Sequence, residues 1–387
     1  MTNKRPVAKK CCVYNCNSKS TSENINLYHF PTDNKLFPHK VAHKVEEDIL
    51  LPAFICSRMP SYNNQINKWD AETYTAAPNS SIKKCQLNEL PIKSDIGGFK
   101  GYDCIKDNNE KMLQVCGINS KTFQLLLKVL SRDYSTEKKS ISIENRLVIF
   151  LLKMKTGLSF SVIGVFFGVH RTTISKIFYV TLSYLAAACK EFVPWPSQEE
   201  VRGTTPDCFK PNYSNFRIII DATEFRMEEP PRTDEQIQSW SSYKGGYRIK
   251  VVVGCSPAGL VTFVSCAYGG RASDVQITAG SELLKLLESG DTILADKGFP
   301  SIQSKLMENG KNVLVVMPPF VENHHLTGEQ REEQRHIARV RIHIERIMQR
   351  LRIYKILDMI SIKMLPYIDE IIFMCCVLVN LQPTIIK

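Results

Sequence analysis

Two short apolar runs in the second half of the chain each lead into an aspartate. Ile218, Ile219 and Ile220 precede Asp221, and the run Thr-Ile-Leu-Ala precedes Asp296. Short continuous apolar runs are typical of strands that are buried on both faces of a sheet. A carboxylate that directly follows such a strand lies at the edge of the sheet. The sequence therefore predicts an α/β arrangement with two acidic side chains near strand ends.

A third acidic residue, Glu345, lies in a basic stretch with helical periodicity, beside an apolar stripe that would face the sheet. Mg²⁺ prefers hard oxygen ligands and keeps positions for water and phosphate. Two such ions about 4 Å apart can hold the attacking and leaving oxygens of a phosphodiester. Asp221, Asp296 and Glu345 therefore predict a Mg²⁺ or Mn²⁺ site for cutting or joining nucleic acid. The stripe consists of Ile337, Val340, Ile344, Ile347 and Leu351.

The same three acids also have a purely structural interpretation. The two aspartates could be turn or cap residues, and Glu345 could pair with Arg341 one helical turn earlier. The residue pattern by itself leaves both interpretations open. Glu224 and its acidic neighbours precede a Pro-Pro pair in a polar stretch, which predicts solvated loop charges. Candidate phosphate contacts, with ordinary surface charge as the alternative, are Lys244, Arg248, Lys250 and Lys297.

The composition is that of a globular chain with a polyanionic partner. The 387 residues are 43% hydrophobic and 23% charged, and the net charge is +11. This balance favours nucleic acid or a membrane surface as partner. No apolar segment reaches the roughly 18 residues of a membrane span, and the basic start is followed by no apolar core, so no secretory signal is expected. The 13 irregularly spaced cysteines predict reduced thiols.

Residues 142–190 predict three consecutive helices. The first ends near Gly157, the second begins after Ser159 and ends at Gly168, and the third begins near Arg171. Two helices joined by a short glycine-containing turn are typical of a helix-turn-helix, and the alternative is an ordinary helical hairpin. The polar start of the third helix favours DNA contact. The candidate DNA-binding residues are His170, Arg171, Thr172, Thr173, Ser175 and Lys176.

From residue 214 onwards the pattern changes to short β-rich runs. Strands followed by helix, strand, strand and helix predict a mixed sheet with flanking helices. A long basic helix is expected over 330–352 and an apolar closing helix within 364–387. The predicted strands are 216–221, 248–254, 260–266, 292–296 and 313–317.

Several sequence blocks together resemble one known family. They are DATEF, WSSYKGGYRIKVVVGCSPAG, GGRASD, ILADKGF and RVRIHIERIMQRLR. They are similar to the DDE superfamily endonuclease domain of PIF/Harbinger-like transposases, and most similar to animal members with an N-terminal THAP-type zinc finger. The resemblance implies an RNase H-like fold and a catalytic triad of Asp221, Asp296 and Glu345. It also implies that Asp274, in GGRASD, supports the folding of the site.

The resemblance makes the N-terminal residues a degenerate zinc-finger module. Cys11 and Cys16 have the THAP spacing and Cys56 lies at a suitable distance, but Met59 stands where the family has histidine. A thioether is a poor Zn²⁺ ligand, and a structural site requires four nitrogen or thiolate donors. Three histidines could substitute, and the sequence does not choose among them, so Zn²⁺ binding is left open. They are His29, His39 and His43.

The predicted organisation is a zinc-finger-like module over 1–60, a linker over 61–97, a helical domain with the helix-turn-helix over 98–200, and an RNase H-like endonuclease domain over 205–387. The resemblance implies a nuclear transposase that binds transposon ends, with a Myb-like accessory protein and a homo-oligomer as expected partners. The alternatives are a host-retained DNA-binding protein that no longer cuts, and a scaffold that acts through a protein partner.

Overall fold

The protein is represented by a computed structural model that describes residues 99–132, 141–207, 209, 215–296, 298–299, 301–319 and 328–384. The predictions for residues 1–60 and 61–97, including the ligands Cys11, Cys16 and Cys56, lie outside the described residues, as does Lys297. Within the described ranges no helix is both long and apolar enough to cross a membrane. Within these ranges five cysteines form no disulfide: Cys116, Cys189, Cys255, Cys375 and Cys376.

The first described region is helical, and within residues 142–190 its breaks fall where the sequence predicts them. Asn119 and Ser159 cap helix starts by accepting backbone N–H bonds, and Gly117, Gly157 and Gly168 end helices in the left-handed conformation. The helices are α1 (Asn109–Cys116), α2 (Ser120–Ser131), α3 (Ile143–Thr156), α4 (Phe160–Phe167), α5 (Arg171–Ala188) and α6 (Gln198–Thr204), with short 3-10 segments at Gly101–Cys104 and Lys190–Phe192.

Helices α3, α4 and α5 form the predicted helix-turn-helix arrangement. The close approach of α4 to the turn requires Gly164, because a Cβ there would lie 2.6 Å from the carbonyl oxygen of Val169. Lys153 is buried in the α3–α4 turn, where its ammonium donates to the carbonyls of Gly157 at 3.1 Å and Leu158 at 2.9 Å. A small apolar cluster holds the three helices together, and it includes Ile149, Leu152, Ile163, Ile174 and Ile177.

The second region is built on a mixed sheet. Among the described residues its main path runs β2-β3-β1-β6-β7, and β4 and β5 also pair with β3. Strand β3 is antiparallel to β1, β2, β4 and β5, whereas β6 is parallel to both β1 and β7. The strands are β1 (Phe216–Arg226), β2 (Trp240–Ser241), β3 (Gly246–Cys255), β4 (Val261–Val264), β5 (Tyr268–Gly269), β6 (Thr292–Leu294) and β7 (Leu314–Val316).

Helices cover both faces of this sheet, as α/β packing requires. Ile218 and Ile220 face a core shared with α8–α10, while Ile219 faces a core shared with α11 and α12. The helices are α7 (Thr233–Ser239), α8 (Asp274–Gly280), α9 (Leu283–Leu286), α10 (Ile302–Glu308), α11 (Gly328–Leu351) and α12 (Ile368–Asn380), with 3-10 segments at Lys355–Leu357 and Ile362–Tyr367.

The core on the α11 side continues into the helical region, so the two regions share apolar packing. Helix α5 packs against the end of the chain: the rings of Tyr179 and Tyr367 stack at 4.2 Å, and the Ser183 hydroxyl donates to Glu370 Oε2 at 2.9 Å. The helix-turn-helix is therefore joined to the sheet region through α5 and α12.

Candidate functional site

Asp221 and Asp296 lie side by side where parallel pairing between two strands ends. Ile219 of β1 pairs with Leu294 of β6, and each aspartate comes two residues later. Because the strands are parallel, both aspartates leave this pairing at the same edge. Asp221 is half-buried, whereas the Asp296 side chain is 42% exposed. We call these two residues the carboxylate pair.

The position of Asp221 differs from the prediction in one respect. The expected strand ends at residue 221, but β1 continues to Arg226 because β3 stays paired with it, with Asp221 opposite Val253. Asp221 therefore lies within a strand that has lost its β6 neighbour and kept its β3 neighbour. The ladder with β3 therefore fixes the backbone from which the Asp221 carboxylate extends.

Helix α11 places Arg341 over the carboxylate pair. The guanidinium Nη1 lies 3.1 Å from Asp296 Oδ1, and the Arg341 side chain is only 19% exposed. The same positive charge lowers the pKa of Asp221. Arg341 therefore interacts electrostatically with both carboxylates, and it pairs with Asp296 in place of Glu345, the partner considered from the sequence.

Burial is the main influence on Asp221 and raises its pKa to about 6. Arg341 opposes this shift, the neighbouring charges of Asp296 and Asp274 add to it, and the Ala222 N–H that donates to Asp221 Oδ1 at 2.9 Å opposes it. The protein thus gathers like charges at a partly desolvated position, which disfavours the ionised form. A bound cation would reverse that preference.

A second ion-pair network lies beside the pair and centres on Lys250. Its ammonium is 2.8 Å from Asp274 Oδ1 and 3.5 Å from Glu224 Oε1, and it donates to the Ala272 carbonyl at 3.2 Å. Lys250, which the sequence made a candidate phosphate contact with ordinary surface charge as the alternative, is therefore engaged within the protein. Asp274 also packs so closely on Gly298 that a Cβ at residue 298 would overlap its Oδ2.

The prediction that Glu224 is a solvated loop charge is wrong. Glu224 lies on β1 opposite Lys250, and its side chain is only 8% exposed. The sequence did contain a signal, because Glu224 and Lys250 each lie in runs rich in apolar and β-branched residues. Of the other basic residues considered, Lys244 is exposed with its ammonium 4.4 Å from the Tyr243 ring centre, and Arg248 is half-buried.

The structure does not bring Glu345 to the carboxylate pair. Glu345 is exposed, one turn beyond Arg341 on α11, because the helix directs its apolar stripe at the sheet and turns Glu345 towards solvent. His343 is buried and stacks on Phe209 at 5.5 Å. Within the described ranges no set of three Asp, Glu, His or Cys side chains is arranged to hold a metal. The pair alone still fits Mg²⁺, which proteins commonly bind through one or two carboxylates together with water and substrate phosphates.

The candidate DNA-binding residues gather at the start of α5. His170 caps the helix, with Nδ1 3.4 Å from the Thr172 N–H nitrogen that donates to it and 2.9 Å from the Thr172 hydroxyl. The buried Ile174 and Ile177 pack in the small apolar cluster that holds α3, α4 and α5 together. The result is an exposed polar helix N-terminus, suited to phosphate or base contact. His170, Arg171, Thr172, Thr173 and Lys176 are exposed, and Ser175 is half-buried.

Comparison with known proteins agrees with these two regions. Residues 220–380, which contain all three predicted acids, match the family described as DDE superfamily endonuclease. Residues 139–191, which contain α3 to α5, match the family described as the helix-turn-helix of DDE superfamily endonuclease. No solved structure matches the chain significantly.

Two curated proteins are similar to the chain at low identity. A probable transposase for insertion sequence element IS702 from Microchaete diplosiphon is 22% identical over 265 residues, which cover 64% of this chain and 85% of the relative. Protein ALP1-like from Arabidopsis thaliana is 22% identical over 207 residues, which cover 49% of this chain and 48% of the relative. The chain thus spans about half the length of the second relative. Residues 139–191 and 220–380 are therefore similar to the helix-turn-helix and endonuclease regions of the DDE superfamily, and the chain is similar at low identity to a probable transposase.

Proposed function

We propose that this chain is a metal-dependent DNA endonuclease of the transposase type, which cuts and joins phosphodiester bonds at transposon ends. The observation that carries the proposal is the convergence of Asp221 and Asp296 at one edge of the sheet, inside the region that matches the endonuclease family. Two carboxylates on adjacent parallel strands could together hold a divalent cation.

The family subtype and the fold name belong to the same proposal. The sequence blocks support a PIF/Harbinger-like transposase. The mixed sheet, with β1 antiparallel to β3 and parallel to β6, and helices on both faces, supports the RNase H-like fold that those blocks imply. Asp274, held by Lys250 and packed on Gly298, has contacts that suit its expected supporting role.

Asp221 and Asp296 would hold Mg²⁺ or Mn²⁺, and Glu345, which is exposed in this structure, would have to move towards them to act as the third ligand. When bound, the metal would polarise the scissile phosphate and lower the pKa of an attacking water. The protein's own contribution is position: the β1–β3 ladder fixes Asp221, and α11 presents Arg341 and Glu345 on one helix face. Lys244 and Arg248 would contact the DNA backbone, because lysine and arginine neutralise phosphates.

The helix-turn-helix would place the start of α5 in a major groove. Arg171 and Lys176 would supply positive charge, while His170, Thr172, Thr173 and Ser175 would offer hydrogen bonds to bases or phosphates. The exposed first turn, with its apolar residues directed inwards, supports this role over that of a helix packed within the protein.

The remaining features of the proposal concern regions and partners beyond the described residues. Cys11, Cys16 and Cys56 are proposed Zn²⁺ ligands of the degenerate N-terminal module. The protein would act in the nucleus, as a homo-oligomer, with a Myb-like accessory protein. These expectations follow from the family resemblance of the sequence.

The test is Mn²⁺-dependent nicking of supercoiled plasmid by the purified full chain. The parent should nick, the Asp296→Asn variant should not, and both should bind DNA equally. Asp358→Asn is the matched control, because Asp358 is an exposed aspartate paired with Lys355 outside the site. Equal nicking by the parent and Asp296→Asn would place the activity elsewhere or in a contaminant.

A second candidate function is a host-retained DNA-binding protein that no longer cuts. The observation in its favour is that Glu345 is exposed while Arg341 pairs with Asp296. In that case the parent would bind DNA through α5, and neither Mg²⁺ nor Mn²⁺ would produce nicking by the folded protein. A chain that shows neither binding nor nicking until an accessory protein is added would instead be a partner-dependent scaffold.

A further inference from the structure

Arg341 is in direct contact with the site where a divalent ion is proposed to bind. Its Nη1 is 3.1 Å from Asp296 Oδ1, and its charge acts on Asp221 as well. A guanidinium is a planar cation with five N–H donors that fit carboxylate oxygens. It therefore offers the carboxylate pair the same two things that a metal does, positive charge and directed contacts to oxygen.

The charges favour competition between these two cations. The ionised pair carries two negative charges, of which Arg341 balances one and a divalent ion balances both. Asp296 Oδ1, which now contacts the guanidinium, is one of the oxygens that would hold the metal. Because the pair is partly desolvated, the positive charge of Arg341 is poorly screened there and opposes the approach of a metal ion.

The packing of α11 argues against a merely structural role for this ion pair. The helix is fixed on the sheet by a row of buried residues along its length, so that it does not depend on a half-exposed salt bridge for its position. Ion pairs with a partly exposed partner contribute little to stability. The buried residues are Ile337, Val340, His343, Ile344, Ile347, Met348 and Leu351.

We propose that Arg341 is an internal competitor for the divalent ion: it neutralises the carboxylate pair in the metal-free protein and must be displaced when metal binds. This inference rests on the proposed nuclease function. Glu345 lies one turn further along the same side of α11, about 6 Å along the helix axis. When Arg341 is displaced, the metal replaces its positive charge at the carboxylate pair. Glu345, on the same side of the same helix, is the further carboxylate that α11 can supply.

The experiment measures Mn²⁺ affinity of the full-length protein from the electron paramagnetic resonance signal of free Mn²⁺, without DNA. Arg341→Gln should bind Mn²⁺ at least about fivefold more tightly than the parent, since a unit charge at about 4 Å contributes roughly 1 kcal/mol even in water. Arg339→Gln, which removes the same charge from an exposed position of α11, should change the affinity less than about twofold. An Arg341→Gln affinity equal to or weaker than that of the parent overturns the proposal.

Two further variants keep the test decisive. Arg341→Lys retains the charge but loses the planar fork, so it should bind Mn²⁺ more tightly than the parent by a smaller factor; if Arg341→Gln does not fold, parent-like affinity of Arg341→Lys overturns the proposal. Asp296→Asn should lose the tight Mn²⁺ binding. If it does while Arg341→Gln matches the parent, only the competitor role is wrong. If Asp296→Asn binds like the parent, the proposed metal site is wrong and the competitor role falls with it.

Discussion

The helix-turn-helix and the edge of the sheet each contain a buried charge, but in opposite surroundings. Burial lowers the pKa of Lys153 to about 8, yet its ammonium is satisfied by two turn carbonyls. Burial raises the pKa of Asp221 to about 6, and two further aspartates add to that shift. The lysine closes a turn, whereas the aspartate belongs to a group of like charges that needs a cation. A buried charge whose hydrogen bonds are all made within the protein contributes to the fold, whereas a carboxylate placed among other carboxylates indicates a functional site.

The largest expected effect separates the two regions by activity. Asp221→Asn should reduce Mn²⁺-dependent nicking by more than about 100-fold, since even outer-sphere changes at metal sites cost about 10–100-fold. Lys153→Met should leave nicking per bound protein nearly unchanged. Plasmid nicking rates at saturating protein measure both. If Lys153→Met lost as much nicking activity as Asp221→Asn, the proposed difference between a structural lysine and a functional aspartate would be wrong.

The next effect is on stability. Lys153→Met leaves the carbonyls of Gly157 and Leu158 without their donor inside the protein, which should lower the free energy of unfolding by about 1–3 kcal/mol. Urea denaturation followed by circular dichroism measures this change. Lys155→Met, two residues along the same helix and half-buried, is the control and should have the smaller effect. Equal losses of stability in the two variants would mean that Lys153 stabilises the fold only through its aliphatic chain, and that its hydrogen bonds contribute nothing.

A third effect concerns the exposed face of the helix-turn-helix. Arg171→Ala should weaken DNA binding by about tenfold and reduce the slope of log affinity against log salt by about one. Fluorescence anisotropy with duplex DNA over a salt series gives both quantities. Lys121→Ala removes an exposed charge from α2 as the control. If both variants lose affinity equally, net charge and not the start of α5 governs binding.

The smallest effect sharpens the comparison through pH. The pKa of Asp221 in the folded protein is about 6, above its ordinary value of 3.8. Between these two pH values the folded state binds more protons than the unfolded state. The free energy of unfolding therefore falls as pH rises through this window. In metal-free buffer, Asp221→Asn should therefore melt a few degrees above the parent near pH 8 and no higher than the parent near pH 4. Thermal melts in chelator at both values test this. A variant less stable near pH 8 would mean that the attraction of Arg341 exceeds the cost of burial.

The contrast also explains what the sequence could predict. The helix-turn-helix is encoded locally: Ser159 and Gly168 bound α4, and both predicted ends are confirmed. The strands around the two aspartates were also predictable, from their apolar runs. The continuation of β1 past Asp221 was not, because it depends on pairing with the distant β3. For the same reason Glu224 was assigned to a loop.

The relation of α11 to the sheet was the least predictable element. Periodicity identifies the buried stripe, but it does not give the position of the helix along the sheet, which decides which residue beside the stripe reaches the carboxylate pair. Arg341 does so, and Glu345 is exposed. The two residues are separated by one turn, so the pattern alone could not distinguish them. The catalytic role of Asp221, Asp296 and Glu345 stays a prediction.

Helix α5 belongs to both regions at once. Its first turn is exposed. Its later part packs on the 3-10 segment before α12 through the Tyr179–Tyr367 stack, and on α12 through the Ser183–Glu370 hydrogen bond. A duplex bound by that first turn would be connected to the sheet region through one continuous helix, without a hinge between the DNA contact and the sheet. The distance along the DNA from the recognised bases to the cleaved bond would then be constant, whatever sequence lies between them.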